Sequence, residues 1–266
     1  MSIISLLTDF GQTDSYVAQM KAVILSINPD VRVVDITHQV TKFNIYMGAF
    51  CLASAAPHFP LQTVHVAVVD PGVGTKRRSI LVETKHNLYV GPDNGVLMLA
   101  TQNETITHVY CIENPDYMLS KVSNTFHGRD IFAPVAAHLT TGVKPCEFGP
   151  EIHDYVVPNF AKPQTKKGTI VGQVLHIDDF GNIISNISAQ QLNQANIHSG
   201  SIVCAEVGDK TLDLPVFLAY GDVNQNDCLV LVGGTGFIEV AVNQGSASKL
   251  FDVTVGDRFC LSIIGC

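Results

Sequence analysis

The feature that most limits what this chain can become is a change of hydrophobic period part-way along it. From residue 1 to about 150, apolar runs of strand length alternate with segments whose apolar residues recur at helical spacing. Beyond about residue 168 the runs are short, β-branched and separated by turn residues, with little helical periodicity. The first pattern predicts an α/β domain and the second a small β-barrel or sandwich. Between them, residues 158–167 have the composition of a linker. The expectation is an N-terminal α/β domain over 1–157, with a Rossmann-like sheet and helices, and an all-β barrel over 168–266. At 266 residues the chain is long enough for two cores.

Within the first domain, strands are expected at 3–7, 31–36, 64–69, 79–83, from 88 and at 106–112. Helices are expected at 13–27, 45–55, 96–100 and 131–139. Asp130 reads as the N-cap of the last helix, with Pro134 in its first turn.

Composition narrows the function classes. With 46% hydrophobic and 15% charged residues, the chain is of the soluble globular kind. A formal charge of −8 gives no electrostatic reason to expect nucleic acid or an anionic membrane as partner. The clusters Lys76-Arg77-Arg78 and Lys166-Lys167 are too short for a phosphate-tracking stripe. Seven cysteines, among them Cys51 and Cys266, are odd in number, lack a C-x-x-C pair and include several within apolar runs, which predicts reduced thiols and a cytoplasmic location. The start, from Met1 to Asp9, has no basic region and only a short apolar run, so neither a signal peptide nor a membrane span is expected. Common nucleotide-phosphate motifs are absent.

Candidate chemistry gathers at the ends of strands. Val69-Asp70-Pro71-Gly72-Val73-Gly74-Thr75-Lys76-Arg77-Arg78 is a glycine-rich loop between two apolar runs, and its glycines are expected to let backbone approach a ligand. Asp9 follows the first strand and His127 precedes the late helix. An Asp, an Arg and a His in one pocket can deprotonate and hold a water, because a cation lowers the pKa of a neighbouring acid. Each residue also has a plain structural alternative: Asp9 as a helix cap, Arg77 as a solvated tip, His127 as a helix-entry histidine satisfied by backbone. Asp9, Asp14, Asp70 and His127 could instead supply metal ligands, but no H-x-x-x-H, D-x-D or Cys/His cluster supports a metal site. In the second domain, Ile177-Asp178-Asp179-Phe180-Gly181-Asn182 brings together groups suited to a polar aromatic ligand, with an Asx-type turn as the structural alternative.

Taken together, Leu7-Thr8-Asp9-Phe10-Gly11, Asp35-Ile36-Thr37-His38, Asp70-Pro71-Gly72-Val73-Gly74-Thr75, Pro92-Asp93-Asn94-Gly95, Phe126-His127-Gly128-Arg129-Asp130, the segment 177–182 and Gly236-Phe237-Ile238-Glu239-Val240-Ala241-Val242-Asn243 resemble the family of S-adenosyl-L-methionine hydroxide adenosyltransferases, related to the 5′-fluoro- and 5′-chloro-adenosine synthases. The resemblance implies an α/β domain followed by a β-barrel, and a homotrimer with sites between subunits. It implies hydrolysis of S-adenosylmethionine at C5′ to adenosine and methionine, without a metal or other cofactor. By the resemblance Asp70, Arg77 and His127 activate water and Asp9 holds the ribose hydroxyls. Asp178 faces the methionine amino group, Phe180 and Asn182 sit at the adenosine, Tyr220 stacks on adenine, Val242 and Gln244 give backbone contacts to adenine, and Phe43 flanks the sugar. One stretch departs from the pattern: relatives often carry Asn-Ser where this chain has Gly233-Gly234-Thr235-Gly236, so Thr235 or backbone N–H groups are expected to meet the methionine carboxylate. The halogenating relatives carry tyrosine at the position of Asp70, and the fluorinating ones carry hydroxyl residues at those of Val73 and Gly128. The alternatives are a 5′-halo-adenosine synthase on the same fold, a metal-dependent hydrolase and a non-catalytic adenosine-binding protein.

Overall fold

The computed structural model describes residues 2–166 and 168–264, apart from the side chains of Gln102 and Asn103. Met1, Lys167 and Cys266, which entered the reading above, lie outside the described residues. The chain divides into two compact units, Met1–Pro158 and Asn159–Cys266.

In the first unit, β1 (Ile3–Thr8), β2 (Arg32–Thr37), β3 (Val64–Val68), β4 (Ser79–Thr84), β5 (Leu88–Pro92) and β6 (Ile106–Cys111) form one sheet in the order β2-β1-β3-β5-β4-β6. Strand β1 is parallel to β2 and β3, and β3 to β5, whereas β4 runs antiparallel to both β5 and β6. The sheet is therefore mixed and departs at β4 from the expected Rossmann-like arrangement. The cause is local: only Lys85, His86 and Asn87 separate β4 from β5, too few for the crossover a parallel pair needs, so a hairpin forms. This reversal builds the site, because β4 begins at the edge where β1, β3 and β6 end.

Helices α1 (Tyr16–Ile27) and α3 (Ala133–Thr140) share one core with alternate strand residues. Met20 and Ile24 from α1 and Val135 and Leu139 from α3 meet Ile4, Leu6, Val66 and Val68 there, each fully buried side chain of this size contributing about 1.5–3 kcal/mol. Helix α2 (Ile45–Ala55) buries Phe50 and Leu52 outside that cluster.

Three local expectations are corrected. Helix α1 begins at Tyr16 rather than 13, with Ser15 before it, and Asp9 does not cap it. Residues 96–99 form turns, followed by a 3-10 turn at Ala100–Asn103, in place of the helix expected at 96–100. Asp130 is not an N-cap: Gly128–Phe132 is a π-helical turn running straight into α3. Fully buried, the Asp130 carboxylate accepts the Ser123 N–H (2.8 Å) and the Arg129 Nε–H (2.7 Å). Single π turns of this sort recur at functional sites.

The second unit holds β7 (Gln164–Lys166), β8 (Thr169–Ile177), β9 (Ile183–Ser188), β10 (Ile202–Val207), β11 (Lys210–Pro215), β12 (Cys228–Val232), β13 (Phe237–Val242) and β14 (Arg258–Ile263), with the short helices α4 (Ala189–Gln194) and α5 (Ala247–Phe251). The strands run β11-β10-β14-β8-β9-β13-β12, with β7 also on β8. A bridge between Val216 and Val230 brings the two ends of this order together, so the antiparallel sheet is a nearly closed barrel. Ile170, Val174, Val203, Val230, Val240 and Phe259 fill its core. The stretch that reads as a linker carries the one-turn helix Asn159–Ala161 and β7. Among the described residues no helix is long and apolar enough to cross a membrane.

Candidate active site

The loop between β3 and β4 brings Asp70 and Arg77 together. Arg77 donates Nε–H to Asp70 Oδ1 (3.2 Å) and Nη2–H to Asp70 Oδ2 (2.5 Å), while Nη2 also lies 2.9 Å from His127 Nδ1. Nη1 donates to the Arg78 carbonyl (3.0 Å) and to Ser79 Oγ (2.9 Å). Its side chain is only 7% exposed, so the solvated-tip alternative fails for Arg77 and holds for Lys76. Guanidinium has donors and no acceptor, so His127 Nδ1 must offer its lone pair and the neutral ring carries its proton on Nε2. Burial, and then the adjacent Arg77 charge, hold the His127 pKa below its ordinary value.

Two further motifs secure the ends of this loop. Asn94 Nδ2 donates to the Val69 carbonyl (2.8 Å), immediately before Asp70. Arg78 donates through Nε (3.0 Å) and Nη2 (2.8 Å) to Asp93 Oδ2. Gly74 then fixes the loop against the segment leading to His127: its φ is +75°, and a Cβ there would fall 2.2 Å from the Asn124 carbonyl oxygen. The glycine therefore serves a close approach of backbone to backbone. At Gly72 a Cβ would meet nothing closer than 3.6 Å.

A cavity of about 350 Å³ opens beside this cluster, with Asp9, Phe43, Asp70, Val73, His127 and Gly128 in its wall. Asp9 is 5% exposed, and its Oδ2 accepts the Phe43 N–H (2.8 Å) instead of capping a helix. Phe43 holds a left-handed backbone (φ 64°) to make that bond. The turn presenting Asp9 is tied by Thr8 Oγ1, which accepts the Phe10 N–H (3.2 Å) and lies 2.9 Å from His38 Nδ1. This gives the Asp35–His38 motif a positioning role. Lys42 and Ser79 were not singled out from the sequence; Lys42 donates to the Asp9 carbonyl and lines the cavity. Neither lies in a pattern that marks it; the fold brings Lys42 to Asp9, and Ser79 meets Arg77 from two residues along the chain.

The second unit has its own cavity, of about 630 Å³, lined by Asp178, Phe180, Asn182, Tyr220, Val242 and Gln244. Asp178 does form the Asx-type turn: Oδ1 accepts the N–H of Phe180 (3.0 Å) and of Asn182 (2.8 Å), and Oδ2 accepts Asn182 Nδ2 (2.9 Å). Phe180 is 80% exposed. Gln244, like Phe43, is held in the left-handed region (φ 54°). Thr235 is not in the cavity wall, and its Oγ1 is buried without a hydrogen-bond partner. Among the described residues no group of three or more His, Cys, Asp or Glu is placed to hold a metal ion.

Residues 4–149 match the model of the SAM hydroxide adenosyltransferase N-terminal domain, and residues 172–260 match that of the C-terminal domain. The chain belongs to the SAM hydroxide adenosyltransferase family. It is 37% identical over 265 residues to the (R)-S-adenosyl-L-methionine hydrolase of Methanocaldococcus jannaschii, an alignment covering 97% of this chain and 95% of that protein. The fluorinase of Actinopolyspora mzabensis is further away, 30% identical over 285 residues, with 96% and 95% covered. The crystal structure of a conserved protein from Thermotoga maritima is similar with a TM-score of 0.86 at 39% identity, covering 97% of this chain and 99% of that one. Family membership thus extends over both units and both cavities.

Proposed function

We infer that the protein hydrolyses S-adenosyl-L-methionine at C5′, with water as the nucleophile, giving adenosine and L-methionine. The observation that carries this reading is Arg77 spanning Asp70 and His127 at the wall of a cavity; the hydrolase names of relatives such as that of M. jannaschii support it. In this reading a water oxygen forms the new bond to C5′ as the C5′–S bond breaks, its electron pair returning to sulfur. The leaving group is a neutral thioether expelled from a sulfonium cation, so no acid is needed to release it, and the reaction draws on no metal or organic cofactor. Asp70 is the proton acceptor, because the His127 Nδ1 lone pair is already occupied by Arg77, and the protonated 5′-alcohol formed by attack is acidic enough for a carboxylate to suffice. His127 orients the water through Nε2–H.

Asp9 binds the ribose hydroxyls beside Phe43. Asp178 faces the methionine ammonium, with Phe180 and Asn182 at the adenosine. Tyr220 stacks on adenine, and the backbone at Val242 and Gln244 reads its edge. With Thr235 outside the cavity wall, backbone N–H groups meet the carboxylate. The reading includes a homotrimer whose copies complete one another's sites, supported by the exposed rings of Phe43 (67%) and Phe180 (80%) at the two cavities. A cytoplasmic location is supported by free thiols at Cys51, Cys111, Cys146, Cys204, Cys228 and Cys260. Incubation with S-adenosyl-L-methionine tests the reading, with adenosine and methionine as the expected products and tight adenosine binding without turnover as the contrary result.

Two outcomes follow from the geometry. Asp9→Ala removes the carboxylate acceptor, a loss of about 1.5–3 kcal/mol for hydrogen bonds to a charged group, and adenosine affinity measured by calorimetry is expected to fall about ten- to a hundredfold. An unchanged affinity contradicts the role. The pH profile follows from His127, whose folded pKa lies below the ordinary 6.5. Above that value the ring is neutral and accepts from Arg77; as the pH falls through the depressed pKa, the ring gains a proton beside Arg77 and activity is lost. The acid limb of kcat is therefore expected to have its midpoint below 6.5, and a midpoint above that value contradicts the assignment.

A further inference from the structure

One buried carboxylate takes no part in the chemistry above. Glu239 lies in β13 and is 4% exposed. Its neighbours Ile238 and Val240 belong to the barrel core, whereas Ala241 joins Leu229 and Leu231 in a small separate cluster beneath Phe217 and Val223. Strand alternation puts Glu239 on the Ala241 side, outside the core. Residues 217–223 cross that side and are tied to it at three points. The Phe217 N–H donates to the Val230 carbonyl (2.9 Å), Asn243 Nδ2 donates to the Val223 carbonyl (2.9 Å), and Tyr220 OH donates to Glu239 Oε2 (2.9 Å).

The carboxylate has a berth made for it. A Cβ on Gly233 would stand 1.7 Å from Glu239 Oε1 and 2.2 Å from its carboxyl carbon. Any side chain at 233 would displace the group, so Gly233 is what makes room for Glu239. Burial raises the Glu239 pKa, the Tyr220 hydrogen bond opposes that rise, and the charge of Asp178 adds to it. The Tyr220 phenol is pushed up to about 12 by burial and then by Glu239. The two groups therefore act on one another, and Tyr220 lines the cavity while Glu239 does not.

We propose that Glu239, seated against Gly233, is a positioning residue that fixes the ring of Tyr220 at the cavity through its hydroxyl, and so sets the affinity for the adenine end of the substrate. This rests on the reading that the cavity takes the adenosine moiety. A half-exposed tyrosine without that anchor would have to be ordered by each incoming ligand, and binding would weaken by the cost of ordering it.

The test uses the full chain with Glu239→Leu, Glu239→Gln, Tyr220→Phe, Gly233→Ala and the Leu/Phe double variant. Adenosine affinity is read by calorimetry, KM and kcat with S-adenosyl-L-methionine, and the Tyr220 ring by ¹³C-tyrosine NMR without ligand. Glu239→Leu, Tyr220→Phe and Gly233→Ala are each expected to weaken adenosine binding about tenfold and to raise KM more than they lower kcat. The double variant is expected to be no worse than either single one, because both remove the same contact. Glu239→Gln keeps an acceptor of the same shape and is expected to stay near wild-type binding. The Tyr220 resonance should move in Glu239→Leu. An unmoved resonance, unchanged affinity in Glu239→Leu, or additive losses in the double variant would overturn the proposal. Failure of the wild-type chain to bind adenosine would instead overturn the functional reading, while the resonance still decides the Tyr220–Glu239 link.

Discussion

Replacement of Arg77 by alanine is expected to lower the rate of adenosine formation by about a hundredfold or more, the range for losing a general base and its orientation. Asp70→Ala and His127→Ala are expected to lose a similar factor. Arg77 is the informative position because one side chain holds both of the others, at 2.5 Å and 2.9 Å through the same Nη2. Removing it also strands Asp70 in a nearly buried site, where breaking such a pair costs about 3–5 kcal/mol. Arg77→Lys separates the two effects. Lysine keeps the charge near Asp70 but, as a point donor, cannot hold the carboxylate in two places and also meet His127. Most of the rate loss should therefore survive in Arg77→Lys while much of the stability returns. Steady-state kinetics beside thermal unfolding decides it, and an Arg77→Lys variant with near wild-type rate would contradict the assigned geometry.

Gly74→Ala is expected to be nearly as damaging, although Gly74 touches no substrate in this account. The added methyl group would strike a backbone oxygen, that of Asn124, in a φ region that already disfavours alanine, a strain of about 1–3 kcal/mol. The loop carrying Arg77 must then shift from the segment carrying His127, and a misplacement of about 1 Å in such a cluster costs on the order of a hundredfold in rate. Gly72→Ala is the control, since its methyl group finds room at 3.6 Å. Equal rates for the two variants would sink the idea that Gly74 sets the Arg77–His127 distance.

Much of this site was legible in the sequence because its residues follow strand ends, and strand ends are marked by where apolar runs stop. Asp9, Asp70 and Arg77 are marked that way and His127 by the start of the late helix; all but Arg77 line one cavity, with Arg77 behind Asp70 and His127. What the sequence hid was direction and contact. The reversal at β4 depends on a three-residue link between two equally apolar runs, which hydrophobic pattern alone does not orient. Asp130 carries the signature of an N-cap, but a π turn inserts one more residue per turn and buries it. The contact of Gly74 with Asn124, fifty residues on, is likewise invisible in the pattern. Glu239 gave a usable signal, a lone carboxylate inside the apolar run from Phe237 to Val242, which is costly to bury without a partner.

Asp70 bears directly on whether water or halide attacks C5′. A halide must exchange its hydration for neutral donors, and a carboxylate about 4 Å away would repel it by about 4 kcal/mol at an effective dielectric of about 20. Asp70 is such a carboxylate in the cavity wall; its pairing with Arg77 offsets part of that repulsion, but Arg77 lies outside the wall and the carboxylate is the group a halide would meet. The most direct measurement is turnover of S-adenosyl-L-methionine in H₂¹⁸O with excess chloride and fluoride, followed by mass analysis of the nucleoside. Adenosine carrying the label at its 5′-oxygen and no halogenated product is expected; unlabelled adenosine, or 5′-halo-adenosine as the main product, would contradict water as the nucleophile.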